Sequence, residues 1–309
     1  MKHDDSLPDQ MAGRLNQSEL VIFLFHGVVA KPNQGIRNYT GKHIARELFA
    51  RCIEQISLLG NALSMDEVLY YCETRTPFPP NAFAITFDDG FENNLSVAAP
   101  ILGDFHVPAT IYVATELVET NGMSWIDRIE HAVEQSHKQA LTPPWSDERY
   151  LLSDASGKIR FLQAVRKYVK SNPDCNANVF ADNLCVELGA GPRPKAEGEL
   201  DRKMSWEQVR TAALSELLTI GGHSHTHPIL SFLSTKQLEH ELDTCFGLLE
   251  AKASIDPTHF SYPEGLAHCY SEDVIQALKK RGVRCCPTAI DGRNVIGSDP
   301  FHLKRVMVG

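Results

Sequence analysis

Two adjacent carboxylates, Asp88 and Asp89, follow a short apolar segment and are the residues of this chain best suited to chemistry. The segment at residues 83–87, FAITF, contains β-branched and aromatic residues, which predicts a buried strand that ends at the carboxylates and Gly90. Two like charges at the end of a core strand repel each other and are costly to bury, unless a cation lies between them or one carboxyl keeps its proton. The pair therefore indicates a metal site, and a solvated Asp-Gly turn is the alternative.

A histidine-rich segment at residues 220–230, IGGHSHTHPIL, supplies further candidate ligands. His223 and His227 are four residues apart, and neutral imidazoles are common protein ligands for zinc-like metals. Because the pair follows two glycines and precedes Pro228, the pattern favours a loop at a strand end. One carboxylate with two histidines leaves coordination positions open, as catalytic metal sites do. The alternative is that the histidines are polar residues on a helix surface.

The composition indicates a globular α/β protein. The chain has 309 residues, of which 43% are hydrophobic and 22% charged, which suits one α/β barrel or doubly wound domain. Its net charge of -9 and pI near 5.8 argue against nucleic acid or an anionic membrane as the main partner, because both require a basic surface.

The cysteines and the N-terminus bear on the compartment. Eight cysteines without a CxxC pair are expected to be reduced thiols in the core. Residues 1–18 are polar, so we expect a flexible tail without a secretory signal. The chain also lacks a run of eighteen apolar residues, so no transmembrane segment is expected. These features predict a cytoplasmic protein.

The order of strands and helices predicts where the chemistry gathers. Residues 20–29, LVIFLFHGVV, predict a first buried strand with His26 near its carboxyl end. A helix at residues 93–105 and a strand at 109–114 follow the Asp88 strand, which predicts a parallel crossover. In a parallel barrel His26 and Asp88 would lie on the same catalytic face, whereas a core histidine is the alternative for His26.

The region from residue 116 to residue 204 differs from the rest. It contains helical patterns at 125–138 and 158–171 joined by polar segments, and no buried strand is evident. We therefore predict one domain at residues 19–309 with a helical insertion that covers one side of the site. Further strands are predicted at residues 217–220, 258–263 and 283–288.

Three motifs occur in a fixed order: TFDDG at 86–90, HSHTHP at 223–228 and FSYPEG at 260–265. Together they resemble the first three motifs of the polysaccharide deacetylases, carbohydrate esterase family four, with its nodulation-type chitooligosaccharide deacetylase homology domain. Four shorter segments resemble those of a branch of this family that acts on surface polysaccharides and lipid-linked sugars. They are FHGV, VPATIYV, MSW and PFHLKR. The resemblance covers residues 20–308 except the insertion. It implies a distorted (β/α) barrel with its site at the carboxyl ends of the strands.

The resemblance also implies roles for the motif residues. Asp88 would be the general base, and Asp89 would bind the metal together with His223 and His227. Zn²⁺ is the default metal for such ligands, and Co²⁺ or Ni²⁺ also suit them.

The third motif would supply Tyr262, Pro263 and Glu264 to the substrate and oxyanion, the last through its backbone N–H. The family usually has arginine at the position of Ser261 and an aromatic residue at that of Glu264. The guanidinium that orients the base is thus missing from this motif, and Arg305 is the candidate to replace it in space.

The general acid of the family is not evident in the chain, because the late leucine-histidine motif is unclear. His26 and His302 are both candidates. We favour His26 because of its predicted place at a strand end, while His302 would be a surface residue.

The implied function is metal-dependent removal of the N-acetyl group from an amino sugar in a polysaccharide, an oligosaccharide or a glycan precursor. The alternatives are an amide or imide hydrolase acting on a small molecule, and an inactive homologue that binds glycan. A glycan substrate predicts an open groove with exposed aromatic residues, while a small substrate predicts a closed pocket.

Overall fold

The computed structural model describes residues 6–33 and 35–309. In this part of the chain the strands are β1 (Val21–Phe25), β2 (Gly27–Val29), β3 (His43–Ala45), β4 (Asn61–Ala62), β5 (Ala82–Phe87), β6 (Ala109–Val113), β7 (Ala140–Leu141), β8 (Tyr150–Leu151), β9 (Leu218–Gly222) and β10 (Val306–Met307).

The helices in the described part of the chain surround the strands. They are α1 (Leu7–Arg14), α2 (Arg46–Leu59), α3 (Met65–Thr74), α4 (Ala99–Asp104), α5 (Thr115–Thr120), α6 (Trp125–Gln135), α7 (Ala155–Ser171), α8 (Ala177–Glu187), α9 (Trp206–Ala213), α10 (Thr235–Ala253) and α11 (Glu272–Lys279). A π-helical segment, Asn94–Ala98, leads into α4, and a 3₁₀ turn, Leu230–Phe232, precedes α10. No described helix is long and apolar enough to cross a bilayer.

A parallel sheet forms the centre of the molecule. Its order is β10-β1-β5-β6-β9, with β4 paired to the start of β5. Phe25 of β1 pairs with Phe87 of β5, and Val113 of β6 pairs with Gly222 of β9. The carboxyl ends of these strands therefore lie at one level, which is where His26, Asp88 and the first histidine of the HxxxH pair follow.

Irregular segments complete the ring of strands. The predicted strands at 258–263 and 283–288 are reduced to isolated parallel bridges, Gly222 with Phe260 and His259 with Cys285. Pro263 and Pro287 interrupt these segments and cannot donate to a ladder. The remaining gaps are closed by the backbone hydrogen bonds Cys286 N to Pro300 O, Thr288 N to Leu303 O and Val308 N to Leu24 O. The fold is thus the predicted distorted (β/α) barrel.

Aromatic residues fill the space between the sheet and α2. All five residues of β1 and all six of β5 are buried. The ring of Phe25 lies 5.2 Å from that of Phe49 on α2 and 5.6 Å from that of Phe87, with the first pair edge to face. Burying each such side chain stabilises the fold by about 1.5–3 kcal/mol, so the strands that carry the site are held by the core.

The described part of the predicted N-terminal tail is ordered. Helix α1 begins with Pro8 in its first turn, where proline favours a helix start, and packs on α2. Met11 is only 2% exposed and belongs to the main core. The prediction of a flexible tail is therefore wrong for this helix, because one apolar anchor suffices to dock it, while residues 1–5 lie outside the described residues.

The insertion has a hydrophobic core of its own. Helices α6 and α7 correspond to the two predicted helices, and α8 and the small antiparallel pair β7-β8 were not predicted. All three helices contribute to this second core. Ile129 of α6, Phe161 of α7 and Leu184 of α8 lie in it. The insertion therefore packs as a helical layer beside the barrel.

Candidate active site

A sharp turn after β5 places both aspartates. Asp88 N donates to Phe25 O of β1 at 3.0 Å, which keeps the first aspartate in the sheet. Asp89 and Gly90 then have positive φ angles of 72° and 67°. A β-carbon on Gly90 would lie 3.0 Å from a methyl group of Val113 in this left-handed conformation, so glycine is required there. The turn leaves both carboxylates at the carboxyl end of the barrel.

The loop after β9 places the two histidines. His223 N donates to Val113 O at 2.9 Å, so the first histidine continues the sheet. Ser224 and His227 both have positive φ angles, and Ser224 Oγ accepts from His227 N at 3.1 Å. Glu241 of α10 accepts two backbone N–H groups from the residues between the histidines. The pair therefore lies on a tight loop, as predicted, and not on a helix.

Asp89, His223 and His227 come together as a buried triad. Asp89 Oδ1 lies 3.5 Å from His223 Nε2 and 3.3 Å from His227 Nε2. One ligand atom from each residue falls within 4.8 Å of the others. This is the donor set expected for a divalent metal with open coordination positions.

The hydrogen bonding of His223 tests whether a metal fits. His223 Nδ1 lies 2.8 Å from Ser261 O, and because a carbonyl only accepts, this nitrogen carries the hydrogen. In the neutral ring Nε2 then presents a lone pair to Asp89 Oδ1, a buried acceptor without a hydrogen-bond partner among the described residues. Two acceptors that face each other require a cation between them, and the carbonyl is the usual outer partner of a metal-binding histidine. The residues present therefore fit a metal.

Lys42 holds the other oxygen of Asp89. Its Nζ lies 2.8 Å from Asp89 Oδ2 and 3.0 Å from Asp127 Oδ2, so it links the barrel to α6 of the insertion. Burial raises the pKa of Asp89, but Lys42 and the two histidines lower it more, well below its usual range. Asp89 is thus ionised. Lys42 and Asp127 were not predicted from the sequence, because 85 residues separate them and neither lies in a local motif.

Arg305 orients Asp88. Its NH1 and NH2 groups donate to the two oxygens of Asp88 at 2.9 and 2.8 Å, and NH2 also donates to Ser261 Oγ at 2.9 Å. Ser261 Oγ lies 3.3 Å from Asp88 Oδ2. Burial raises the pKa of Asp88, but Arg305 and His223 lower it more, so Asp88 is ionised. The structure thus places Arg305 where the sequence analysis expected a replacement for the missing motif arginine.

The two candidate acids lie in different places. His26 lines the same cavity as Asp88 and Asp89, and its buried Nδ1 has no hydrogen-bond partner in the described chain. Burial lowers the pKa of His26 to about 4, so the imidazole is neutral at pH 7. His302 pairs with Asp299 at 3.0 Å, and its side chain is 48% exposed. It lines a separate surface depression, so only His26 is near the aspartates.

The third motif contributes one side chain to the cavity. Glu264 has a φ of 62°, lines the cavity and forms an ion pair with Lys170 of α7. Burial raises the pKa of Glu264, but Lys170 and His227 lower it more, to about 2. By contrast, Tyr262 OH donates to Phe301 O at 3.1 Å within the core.

Two predicted substrate residues therefore do not line the cavity through their side chains. The side chains of Tyr262 and Pro263 are absent from the cavity lining that the described residues form. The Tyr262 ring stacks on Tyr270 at 4.3 Å, between the barrel and its outer helices. Glu264, with its left-handed backbone, is the residue of the third motif that lines the cavity.

The site opens into one small cavity of about 250 Å³. Residues from α6, α7 and their flanks close one side of it, and no Phe, Tyr or Trp is among the described residues that line it. The lining residues are Leu24, His26, Thr40, Gly41, Lys42, Asp88, Asp89, Ser124, Ile126, Arg166, Lys170, His223, His227, Glu264, Ala289, Met307, Val308 and Gly309. Residues of α6 and α7 thus form part of the site.

Comparisons with known proteins agree with this architecture. The structure of IcaB from Ammonifex degensii superposes with a TM-score of 0.60 at 17% identity, covering 96% of this chain and 94% of that one. The Streptococcus pyogenes deacetylase PplD, in complex with acetate, gives 0.59 at 15%, covering 94% and 93%. The BpsB deacetylase domain from Bordetella bronchiseptica gives 0.55 at 16%, covering 95% and 97%. At these identities the likeness shows the fold.

No curated protein matches the chain significantly. The family model for polysaccharide deacetylases, however, matches residues 75–150 and 161–286. The matched ranges cover more than half of the chain and include both aspartates and both histidines of the site. The chain therefore belongs to the polysaccharide deacetylase family, whose members are metal-dependent hydrolases acting on the N-acetyl amide bonds of glycans.

Proposed function

We propose that this protein hydrolyses the acetamide of an N-acetylated amino sugar at the Asp88–Asp89 site, releasing acetate and a free amine. The observation that carries the proposal is the pairing of an ionised, immobilised Asp88 with the Asp89, His223 and His227 triad in one cavity. A base and a metal site at adjacent positions are what amide hydrolysis requires.

Asp89, His223 and His227 would hold a divalent metal, with Zn²⁺ as the first choice. Co²⁺ and Ni²⁺ suit the same nitrogen and oxygen donors. When bound, such a metal lowers the pKa of water and polarises a carbonyl oxygen. His223 is prepared for this role, because its bond to Ser261 O fixes the tautomer that turns Nε2 toward Asp89.

Asp88 would accept the proton of the water that attacks the acetamide carbon. Its two oxygens are held by Arg305 and Ser261, so the carboxylate has one orientation and loses little freedom in the reaction. In the proposed reaction a C–O bond forms, the C–N bond breaks, and one proton must reach the departing nitrogen. The backbone N–H of Glu264, at the left-handed turn of the third motif, would donate to the oxyanion.

His26 would carry the proton to the leaving amine. Because burial lowers the pKa of His26 to about 4, it cannot hold that proton beforehand at pH 7. It would instead receive the proton that Asp88 takes from water and then release it to the nitrogen. Its buried Nδ1, which lacks a hydrogen-bond partner in the described chain, is available for this transfer.

His26→Ala should lower turnover by roughly 10²-fold or more, in the range usual for one acid-base group. His302→Ala should leave turnover within about twofold of wild type, because His302 lies outside the cavity. Both variants would be compared for acetate release, zinc content and thermal midpoint. The reverse order of effects, or an unstable His26→Ala with normal specific activity, would show that His26 is only a packing residue.

The shape of the cavity favours a small substrate as the second candidate. A volume of about 250 Å³ with no Phe, Tyr or Trp among the described lining residues suits one small unit better than a long chain, and this applies equally to a small amide or imide. A homologue that only binds glycan would not need Asp88 fixed by Arg305. The retained base therefore favours hydrolysis over simple binding.

Acetate release is the direct test of the proposal. Zinc-loaded protein should release acetate from N-acetylglucosamine derivatives faster than from small cyclic imides, and removal of zinc with a chelator should stop the reaction. Turnover of the imides alone would replace the proposed function with the second candidate. Absence of any turnover by fully loaded protein would favour the binding homologue.

A further inference from the structure

Arg166 is a cation at the cavity that forms no ion pair with a carboxylate of the described residues. Among the charged groups that line it, Lys42 pairs with Asp89, Lys170 pairs with Glu264, and Asp88 is held by Arg305. For Arg166, by contrast, no carboxylate of the described residues is within ion-pair distance. Its Nε is also buried without a hydrogen-bond partner in this part of the chain.

The helix that carries Arg166 fixes its position. Phe161, Val165 and Val169 anchor α7 in the core of the insertion. Arg166 and Lys170 are one turn apart, so they share a face, and both line the cavity. The guanidinium of Arg166 also lies over the ring of Tyr39, with Cζ 5.7 Å from the ring centroid. A rigid helix and an aromatic ring thus hold this cation beside the site.

The acidic composition of the chain makes a cation without a carboxylate partner unusual at this point. The chain carries a net charge of -9, so its overall field repels anions. A planar guanidinium binds phosphate or carboxylate through two parallel hydrogen bonds, and its affinity is highest where water is partly excluded. A cation in a catalytic cavity that has no carboxylate partner among the described residues therefore indicates a negative charge on the ligand.

The size and lining of the cavity restrict that ligand. Its volume of about 250 Å³ is below the range of roughly 300–1,000 Å³ typical of ligand pockets. None of the described residues that line it is a Phe, Tyr or Trp, the side chains on which successive sugar rings would stack. The cavity thus suits a single sugar unit with a charged group better than a long neutral glycan.

We infer that the substrate is an N-acetylated amino sugar bearing an anionic group, a phosphate or a carboxylate, that Arg166 binds together with Lys170. This inference rests on the proposed function for the identity of the amino sugar. Arg166 supplies a guanidinium that has no carboxylate within ion-pair distance among the described residues, while Lys170 shares its charge between Glu264 and the ligand. The anion thereby places the acetamide at Asp88 and the triad.

Calorimetry on zinc-loaded protein tests the inference without turnover. N-acetylglucosamine 1-phosphate should bind roughly 10- to 100-fold more tightly than N-acetylglucosamine, as expected for hydrogen bonds to a charged group. N-acetylmuramic acid provides the carboxylate arm, and the tighter of the two anionic ligands identifies the source of the charge. Arg166→Gln should remove most of the advantage of the anion and leave N-acetylglucosamine binding unchanged.

Two further variants separate charge from folding. Arg166→Lys should retain much of the preference, because it keeps the positive charge. Arg160→Gln makes the same change at an exposed position of α7 outside the cavity and should bind like wild type. Equal zinc content and thermal midpoints across the set would show that the fold is retained.

The outcomes distinguish this inference from the proposed function. If the neutral sugar binds as tightly as both anionic ligands, or if Arg166→Gln retains the full preference, the inference is wrong even when acetate is released. If the anionic sugar binds through Arg166 but no acetate is released from it, Arg166 is confirmed as the residue that binds the anion, and the proposed hydrolysis is wrong.

Discussion

Replacing Asp89, His223 or His227 with alanine should reduce bound zinc from about one ion per chain to nearly none and abolish acetate release. Each variant removes one of the three side chains whose ligand atoms come within 4.8 Å of one another. With only three protein ligands, the loss of one leaves too few donors for tight binding. Elemental analysis after zinc loading and buffer exchange measures the effect.

A third histidine of the same loop provides the matched control. His225 lies between the two proposed ligands, but its Nδ1 is 2.9 Å from Thr115 Oγ1 and it does not belong to the triad. His225→Ala should therefore bind zinc like wild type. Wild-type protein that stays free of metal after loading would refute the site, and equal losses in His225→Ala would show that the loop, not the ligands, had failed.

The parts of the fold that could be predicted from the sequence are local. The apolar residues of β1 and β5 predict buried strands because both faces of a parallel strand are covered. The turn after Phe87 and the loop after β9 could also be predicted from local sequence, because glycines and a proline mark them. The order of these elements predicted a parallel crossover, and the family resemblance implied the distorted barrel.

The interactions that complete the site are long-range and could not be predicted in this way. Lys42 joins Asp89 and Asp127 across the boundary between the barrel and the insertion, and Lys170 reaches Glu264 from α7. No spacing rule connects residues that are so distant in the chain. An exception is Arg305, for which the absence of arginine at Ser261 gave the signal.

The errors at the chain's irregular parts have similar causes. Segments 258–263 and 283–288 have the composition of strands, but they contain or adjoin prolines and make only isolated bridges. The polar residues 7–14 gave little reason to expect a helix, which docks through Met11. The assignment of Tyr262 to the substrate rests on its place in a motif and stays a prediction, while its ring packs on Tyr270.

Asp88→Asn should lower turnover by roughly 10²- to 10⁴-fold while zinc content stays near that of wild type. The amide keeps the shape of the side chain but cannot accept the proton of the attacking water. Asp88 is outside the triad, so the loss of the base and the loss of the metal are separable. Single-turnover acetate release and elemental analysis on the same samples measure the two effects.

The contact with Arg305 requires a control for folding in this variant. Asparagine offers only one acceptor oxygen to the two donating nitrogens of the Arg305 guanidinium, so Arg305 loses the charge that compensates it in a fully buried position. A lower thermal midpoint is therefore expected along with the loss of turnover. Ser261→Ala perturbs the same cluster without removing the carboxylate, and it should keep far more activity than Asp88→Asn at a similar zinc content. If Asp88→Asn instead retains wild-type turnover, the base lies elsewhere, whereas equal losses in both variants would mean that the cluster's geometry, not the carboxylate's basicity, limits the reaction.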